Sequence, residues 1–177
     1  MRYLIILLMI LAITAYSQES MVTLSGGAVL ANVEDAETNG TGFRINGLYE
    51  YNPMLGKIAY GLSVGYIDLG ADNDGTEYKV TSLPIYFAPK FLFGGDKFKG
   101  FIKGALGMHF SRIKRTGTRT ELEDKDTGFT GGIGGGALFF LTNAIFINAE
   151  YELLWMSNHF YRDGLQQGIS AGLGFRF

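Results

Sequence analysis

Seven ionisable residues fall at alternating positions within apolar segments, where a charged group is seldom left alone. Alternation with period two places residues on one face of a β-strand, and these seven share the face that carries the small and polar side chains. Charges enclosed in a narrow interior must be paired, or their pKa values shift until they are neutral. They therefore predict either a structural network of salt bridges with Glu150 and Glu152 at its centre or the lining of an ion path. The set is Arg44, Glu50, Lys90, Lys103, Glu150, Glu152 and Arg176.

A second pair with possible chemistry is His109 and Ser111, which lie two residues apart on the same inward parity. Together they could act as the base and the nucleophile of a hydrolase. A triad also needs a positioned third group, and the sequence does not identify one. With two histidines and no cysteine, the chain has little to offer a metal and cannot form disulfides or thiolate sites. We predict no catalytic residue, cofactor or metal.

The segment Asp72-Asn73-Asp74-Gly75 resembles part of a calcium-binding loop. In that alignment the first ligand would be Gly70 and the twelfth Thr81, which does not supply the bidentate carboxylate of such loops. A tight Asp-Gly turn between two strands is the favoured interpretation.

The elements that position these residues must fit a single domain of 177 residues. Charged residues make up 18% of the chain, against roughly 25% in an average soluble domain, and 26 residues are glycine. This composition suits a protein whose surface partly faces something other than water. The net charge of -2 gives no sign of a nucleic-acid partner.

The first residues form a leader. Arg2 precedes an apolar run of about 11 to 13 residues, and Ala15-Tyr16-Ser17 provides a small-x-small cleavage site. A membrane anchor is the alternative, but such a helix needs roughly 20 apolar residues. We therefore expect residues 1–17 to be a signal peptide and residues 18–177 to form the exported domain.

The rest of the chain contains segments in which bulky and small side chains alternate. In the last one, the face opposite Leu173 and Phe175 carries mostly glycine and serine. A soluble sandwich or lipocalin-like barrel would carry Lys, Glu and Thr there, whereas the inside of a narrow transmembrane barrel suits small residues. The fourth segment contains Pro84, which predicts a β-bulge. The eight predicted strands are Val22–Leu30, Phe43–Tyr51, Ile58–Asp68, Lys79–Phe91, Ile102–Ser111, Phe129–Leu141, Ile147–Trp155 and Leu165–Phe177.

The links between these strands alternate in length, which defines two ends of the barrel. The longest, residues 112–128, is basic and then acidic, and it could extend the fifth and sixth strands as a hairpin with Arg115 near Asp124. Outward aromatic residues gather towards both ends, as expected at two lipid interfaces. They are Phe43, Tyr66, Phe110, Phe129 and Trp155 at the loop end, and Tyr49, Tyr51, Phe91, Phe139, Phe175 and Phe177 at the turn end.

On these features the chain resembles the family of small outer-membrane β-barrels typified by the OmpA transmembrane domain and OmpX, and the barrel-domain proteins of Bacteroidetes-like bacteria. The resemblance implies an eight-stranded antiparallel up-and-down barrel in the outer membrane of a Gram-negative cell. It also implies that Gly172, Leu173, Gly174, Phe175, Arg176 and Phe177 form the signal recognised by the barrel-assembly machinery. Outer-membrane lipid would surround the barrel.

Three cations just beyond Phe110, namely Arg112, Lys114 and Arg115, could bind the phosphates of lipopolysaccharide. Solvated loop charge is the alternative. His109-x-Ser111 is similar to the His-x-Ser of some outer-membrane lipid A deacylases, but Arg112 replaces the following Asn and that site must face lipid. Ser157-Asn158 looks like the other half of such a motif without its histidine.

The sequence therefore predicts a barrel with a structural or surface-interaction role, a lumen filled by polar side chains and loops exposed to an unidentified extracellular ligand. A small porin-like channel for ions or solutes is the alternative, and a lipid A-modifying enzyme is a third.

Overall fold

A computed structural model of the chain describes residues 19–33, 38–53, 56–73, 76–116 and 121–177. The predicted signal peptide lies outside these residues, as do Asp74 and Gly75 of the calcium-like segment. Within the described residues, no helix has the length and apolar character needed to cross a bilayer. The same residues form eight strands: β1 Glu19–Val33, β2 Thr38–Asn52, β3 Ile58–Asn73, β4 Thr76–Gly94, β5 Phe98–Thr116, β6 Glu121–Phe140, β7 Ile145–Met156 and β8 Tyr161–Arg176.

The strands form a closed antiparallel barrel in which each pairs with its neighbours in sequence and β1 pairs with β8. Closure is completed at the chain's last residue, because the backbone N–H and C=O of Phe177 both bond with Ser20 at 2.9 Å. The predicted eight-stranded up-and-down barrel is confirmed.

Side-chain alternation sorts the barrel into an apolar exterior and a packed interior. On β3, Leu62 is 55% exposed while the neighbouring Ser63 is fully buried. Outward aromatics pair near the ends of the wall, with ring centroids 6.0 Å apart for Phe43 and Tyr66 and 6.4 Å apart for Phe129 and Trp155. The bulky side chains therefore face outwards, as predicted, and the small and ionic ones face the lumen.

The predicted long links are largely strand. β5 and β6 continue their pairing as far as Thr116 and Glu121, so the predicted hairpin forms. Arg115 lies directly opposite Leu122 and Asp124 lies opposite Ile113, so Arg115 and Asp124 are diagonal neighbours on one face of the hairpin and not directly opposed. Register in a hairpin is set by the length of its turn, which composition does not give.

The bulge predicted at Pro84 is absent. The β3–β4 ladder stops at Val64–Ile85 and resumes at Ile67–Ser82 with the same offset. Opposite the proline is Gly65, where an added Cβ would lie 3.0 Å from the proline ring. A glycine partner thus makes room for the ring, and the ladder loses hydrogen bonds without losing register. The register shift on β1 lies instead between Ala31 and Val33.

Candidate functional site

The lumen holds a layer of six buried ionisable side chains, here called the charged layer: Arg44, Glu50, Lys90, Lys103, Glu150 and Glu152. They project from the inward positions of β2, β4, β5 and β7. Other strands offer glycine beside these side chains, which gives long side chains room to extend across the lumen. A Cβ on Gly168 would lie 2.8 Å from Arg44 Nη1, and one on Gly134 would lie 3.0 Å from Lys103 Cε.

Glu152 is the hub of the charged layer. Its carboxylate binds Arg44, lies 2.7 Å from Lys103 Nζ and accepts the hydroxyl of Tyr86 at 2.9 Å. Glu150 binds the same Lys103 ammonium at 2.5 Å. Four strands, β2, β4, β5 and β7, are thereby joined through the Glu152 carboxylate.

The remaining pair of the charged layer is Lys90 and Glu50, which lie 2.6 Å apart. Lys90 Nζ also sits 4.2 Å from the centroid of the Phe101 ring, close enough for a cation–π contact. The charged layer contains three cations and three carboxylates in all. Such a set is neutral as a whole, which lowers the cost of keeping charges away from water.

Apolar side chains fill the lumen on both sides of the charged layer. Those towards the turn end, the lower apolar layer, are Met21, Ala59, Leu92, Phe101, Leu138, Phe140 and Phe146. Those towards the loop end form the upper apolar layer, which includes Val29, Ile67, Leu69, Val80, Ile113, Leu154, Met156, Phe160 and Tyr161. On β5, for example, Lys103 stands between Phe101 of the lower layer and Ala105, which belongs to the upper one.

Sequence reasoning missed these two layers, although their residues share the inward parity of the charges. Parity was available as a signal, since Phe101 lies two positions from Lys103 and Phe146 lies four positions from Glu150. The predicted polar filling of the lumen is therefore mixed with apolar clusters on both sides of the charged layer, where buried polar side chains such as Ser82, Thr130 and Asn148 lie among them.

The structure separates Arg176 from the other six predicted ionisable residues. Its Nη1 lies 3.1 Å from Glu19 Oε1, its Nε donates to the carbonyl of Asn143 at 2.7 Å, and its guanidinium lies 4.5 Å from the Phe140 ring. Arg176 thus lies at the rim of the turn end, below the lower apolar layer. Its partner Glu19 was not predicted.

His109 and Ser111 lie inside the barrel near the loop end, where they meet Asn158 from the β7–β8 connection. Asn158 Nδ2 is 3.1 Å from His109 Nε2 and 3.2 Å from Ser111 Oγ. The other ring nitrogen of His109 contacts Thr130 Oγ1 at 2.9 Å, and Ser111 Oγ contacts Ser82 Oγ at 2.7 Å. Both ring nitrogens thus have partners other than Ser111, so the histidine is not positioned as its base.

A groove on the outer wall, of about 650 Å³, brings together two of the three predicted lipopolysaccharide contacts, Arg112 and Lys114. Lys79 and Lys125, which were not predicted, line it as well, and Leu83 and Phe110 form its apolar part. Arg115 has the opposite parity on β5 and lies across from Tyr78 and Leu122. The groove is cationic on the side away from the membrane and apolar at the level of the aromatic residues.

Acidic partners already moderate the charge of this groove. Lys79 Nζ lies 3.1 Å from Asp68, and this hydrogen bond raises the pKa of the lysine. Glu123 lies 3.3 Å from Arg112 and 3.4 Å from Lys125. Exposed pairs of this kind are weak and are readily exchanged for a better anion.

The predicted assembly residues form the end of β8 and its last residue. Leu173, Phe175 and Phe177 point outwards, and the rings of the two phenylalanines stack with centroids 6.0 Å apart. Gly174 points inwards beneath Phe146, where an added Cβ would lie 2.1 Å from the ring. Among the described residues, no group of three or more His, Cys, Asp or Glu side chains is placed to hold a metal.

The comparisons with known proteins agree with this architecture. The family model for the outer membrane protein beta-barrel domain matches residues 3–177. The fold is similar to that of neisserial surface protein A, with a TM-score of 0.67 and 15% identity, over 89% of this chain and 97% of that one. A search among curated proteins finds no match.

Two further solved structures share the fold. One is Ail, the attachment invasion locus protein of Yersinia pestis, in complex with the heparin analogue sucrose octasulfate (TM-score 0.60, 17% identity, 92% of this chain and 100% of that one). The other is the outer membrane enzyme PagL (TM-score 0.50, 18% identity, 87% and 97%). At these identities the likeness extends to the fold alone.

Proposed function

Because the chain belongs to the family of outer membrane protein beta-barrel domains, it is an outer-membrane protein, and we propose that it serves as a closed structural barrel that presents its loop end for surface interactions. The observation that carries this proposal is the neutral charged layer enclosed between two apolar layers. Eight strands leave an interior that side chains just fill. An ion would have to enter both apolar layers and then break buried salt bridges.

Recordings across planar bilayers test the closed barrel against a small channel. The purified protein should show no stepwise conductance above that of protein-free bilayers. Replacing Glu150 and Glu152 by Gln separates the two functions further, since it removes the carboxylates at the centre of the layer. A structural layer predicts lower stability with unchanged conductance, whereas an ion path predicts altered conductance. Glu123→Gln, on the exposed hairpin, is the matched control.

We propose no enzymatic activity for the barrel. His109 and Ser111 are both buried in the lumen, and acyl chains of the membrane lie on the other side of the wall. The missing hydrogen bond between base and nucleophile also argues against hydrolysis. An assay of deacylation on purified lipid A tests this directly, and release of fatty acid that is lost in Ser111→Ala would overturn the proposal.

The outer groove supports contact with an anionic saccharide or lipid headgroup, of which the phosphates of lipopolysaccharide are the abundant source at this surface. Arg112 and Lys114 supply charge-assisted hydrogen bonds, and Leu83 and Phe110 suit an acyl chain. The sulfated ligand of the Ail complex is consistent with this class of ligand. Solvated charge without a ligand is the competing interpretation.

Binding of lipopolysaccharide to the detergent-solubilised barrel tests the groove. The double variant Arg112→Gln, Lys114→Gln should bind more weakly, and dephosphorylated lipopolysaccharide should bind poorly to the wild type. Arg115→Gln is the matched control, because it removes one charge from the same hairpin on the opposite face. Equal losses in Arg115→Gln would indicate a general effect of charge and contradict the site.

We also propose how the protein is exported and assembled. Residues 1–17 act as the cleaved signal peptide, residues 18–177 form the mature barrel, and the end of β8 engages the barrel-assembly machinery. Phe177→Ala keeps the backbone bonds to Ser20 but removes the terminal ring, so the folded, heat-modifiable band on gels should decrease in cells. Phe98→Ala, an outward aromatic at the same end, should assemble normally. The N-terminal residue of the purified protein tests the cleavage site.

A further inference from the structure

The wall of the barrel is lowest at β7. This strand has 12 residues and ends at Met156, while β6 on one side continues up to Glu121 and β8 on the other begins at Tyr161. Residues 157–160 cross the resulting gap, and Phe160 and Tyr161 are buried in the upper apolar layer. This connection, here called the β7–β8 cover, packs Phe160 into the lumen near the loop end.

The cover is held from inside by the amide of Asn158. Its Oδ1 accepts the backbone N–H groups of Phe160 and Tyr161 at 3.1 and 3.3 Å. Because a backbone N–H can only donate, this fixes which end of the amide is oxygen, and Nδ2 must face His109 and Ser111. The inner contact therefore places an N–H donor against His109 Nε2.

A donor at this position requires His109 Nε2 to be free of a proton. The proton of neutral His109 then resides on Nδ1, which donates to Thr130 Oγ1. Protonation of the ring would set an Nε2–H against the Asn158 amino group, so two donors would face each other. Asn158 cannot relieve this repulsion by rotating its amide, because its Oδ1 already accepts the backbone N–H groups of Phe160 and Tyr161.

The second histidine of the chain contacts the same cover from outside. His159 Nδ1 lies 3.3 Å from Asp126 Oδ2 on β6, and this contact becomes an ion pair when the ring is protonated. His109 and His159 are the two histidines in the sequence. Acid therefore weakens the inner contact of the cover and strengthens the outer one.

Every element packed around His109 contributes a group that faces it. β4 contributes Pro84 by pairing and β5 contributes Ser111. β6 contributes Thr130 and, through space, the carbonyl of Phe129 and the charge of Asp126. The cover contributes Asn158. The negative charge of Asp126 attracts a protonated ring, while no carboxylate among the described contacts replaces the Asn158 bond.

We infer that the β7–β8 cover is an acid-released lid: neutral His109 holds it in the mouth of the barrel through Asn158, and protonation of His109 releases it towards Asp126, which His159 already contacts outside. Release exposes the hydroxyl groups of Ser82, Ser111 and Tyr161, which form a chain of hydrogen bonds beneath the cover. The charged layer below stays in place. The device therefore changes the surface that the barrel presents, without opening a pore.

The single tryptophan of the chain provides a reporter. Trp155 lies two residues before the cover, and its indole packs against Gly164, near the start of β8. The full-length mature protein in detergent micelles would be titrated from about pH 7.5 to about pH 4.5, which covers the range in which an exposed imidazole takes up a proton and extends below it for a buried one. Tryptophan emission and hydrogen exchange of the Phe160 and Tyr161 amides would be followed, with exchange corrected for its intrinsic pH dependence.

The wild type should show one transition, with exchange of the two amides about tenfold faster on the acid side, because release brings the buried residues Phe160 and Tyr161 to solvent. His109→Gln keeps a neutral acceptor for Asn158, so the transition should disappear. His159→Gln is the control for direct effects of that ring on Trp155, and it should retain the transition. A wild-type titration in His109→Gln, or its loss in His159→Gln alone, would overturn the inference.

A variant that places a carboxylate against His109 tests whether acid releases the cover through this contact, and it does so even if His109→Gln fails to fold. In Asn158→Asp, one carboxylate oxygen can still accept the amides of Phe160 and Tyr161 while the other accepts from protonated His109. The cover should then be held more firmly in acid, with slower exchange of both amides. Faster exchange in acid, as in the wild type, would show that the Asn158–His109 contact does not control the cover.

Discussion

The ammonium of Lys103 and the carboxylate of Glu152 lie 2.7 Å apart with both side chains buried in the lumen. Arg44 binds the same carboxylate, so Glu152 balances parts of two cations. Removing one member of such a set leaves an uncompensated buried charge, which is more damaging than removing a pair.

Glu152→Gln should therefore lower the free energy of unfolding by about 3 kcal/mol or more. The double variant Glu152→Gln, Lys103→Met removes one charge of each sign and should lose at least about 1 kcal/mol less than the sum of its single variants. Reversible unfolding by urea in lipid vesicles measures both. Additive losses would indicate that the two groups act independently.

The ion pair at the rim should behave differently. Glu19 and Arg176 lie 3.1 Å apart, but the Arg176 side chain is 25% exposed. Glu19→Gln should cost less than about 1 kcal/mol, and the difference should shrink in high salt. A loss as large as that of Glu152→Gln would mean that depth in the barrel does not govern the strength of these pairs.

Gly174 lies beneath the Phe146 ring, and the methyl group of an alanine would occupy space that the ring already fills. Gly174→Ala should destabilise the barrel by about 1–3 kcal/mol through overpacking. Phe146→Ala in the same chain should relieve part of the loss. Gly70→Ala is the control, since an added Cβ there meets no atom within 4 Å. Unfolding curves of the wild type, Gly174→Ala, the double variant with Phe146→Ala, and Gly70→Ala measure these differences in stability.

The part of β6 beyond Phe129 pairs with β5 alone, so its other edge faces the gap above β7. Two aspartates cap that edge: Asp124 and Asp126 accept the backbone N–H groups of Lys125 and Thr127 at 2.8 Å. An uncapped edge offers free donors to a strand of another molecule. Asp124→Ala, Asp126→Ala should therefore increase dimers in chemical cross-linking of the solubilised protein, whereas Glu123→Ala should not.

The same capping predicts how self-association depends on pH. Partial burial raises the pKa of Asp126, but hydrogen bonds from His159 and the Thr127 amide outweigh it and hold the pKa below its usual value. Because the pKa of Asp126 is lowered in the folded state, its ionised form stabilises the cap at pH values above the ordinary pKa. This stabilisation is lost as the pH falls through the folded-state pKa. Wild-type dimers should thus appear only below about pH 4.

The orientation of the barrel was predictable because its signal is repeated along every strand. On β3, Tyr60, Leu62 and Val64 alternate with Gly61 and Ser63, and a single error of parity would have put all the bulky residues inside. The predicted strand ends were less accurate, since polar residues beyond the membrane continue the hydrogen-bonded ladder between strands without an apolar pattern. β2, for instance, begins at Thr38 rather than Phe43.

The partners inside the lumen were less predictable, because they depend on the stagger of distant strands. Asn158 meets His109 across 49 positions of the sequence. Parity places His109 in the interior, but Asn158 belongs to a connection where alternation does not apply, and the height of each along the barrel follows from the register of the intervening hairpins. For the same reason the sequence indicated which charges face inwards, but not that Arg176 would lie apart with Glu19.

The charged layer carries no net charge. Its three cations and three carboxylates cancel, and work done on a charge by a membrane potential scales with the net charge moved, at about 2.3 kcal/mol per elementary charge for 100 mV. Shifting the whole layer along the barrel axis would therefore yield almost no electrical work. A membrane potential of either polarity therefore has little effect on this interior, which suits a structural barrel better than a voltage sensor.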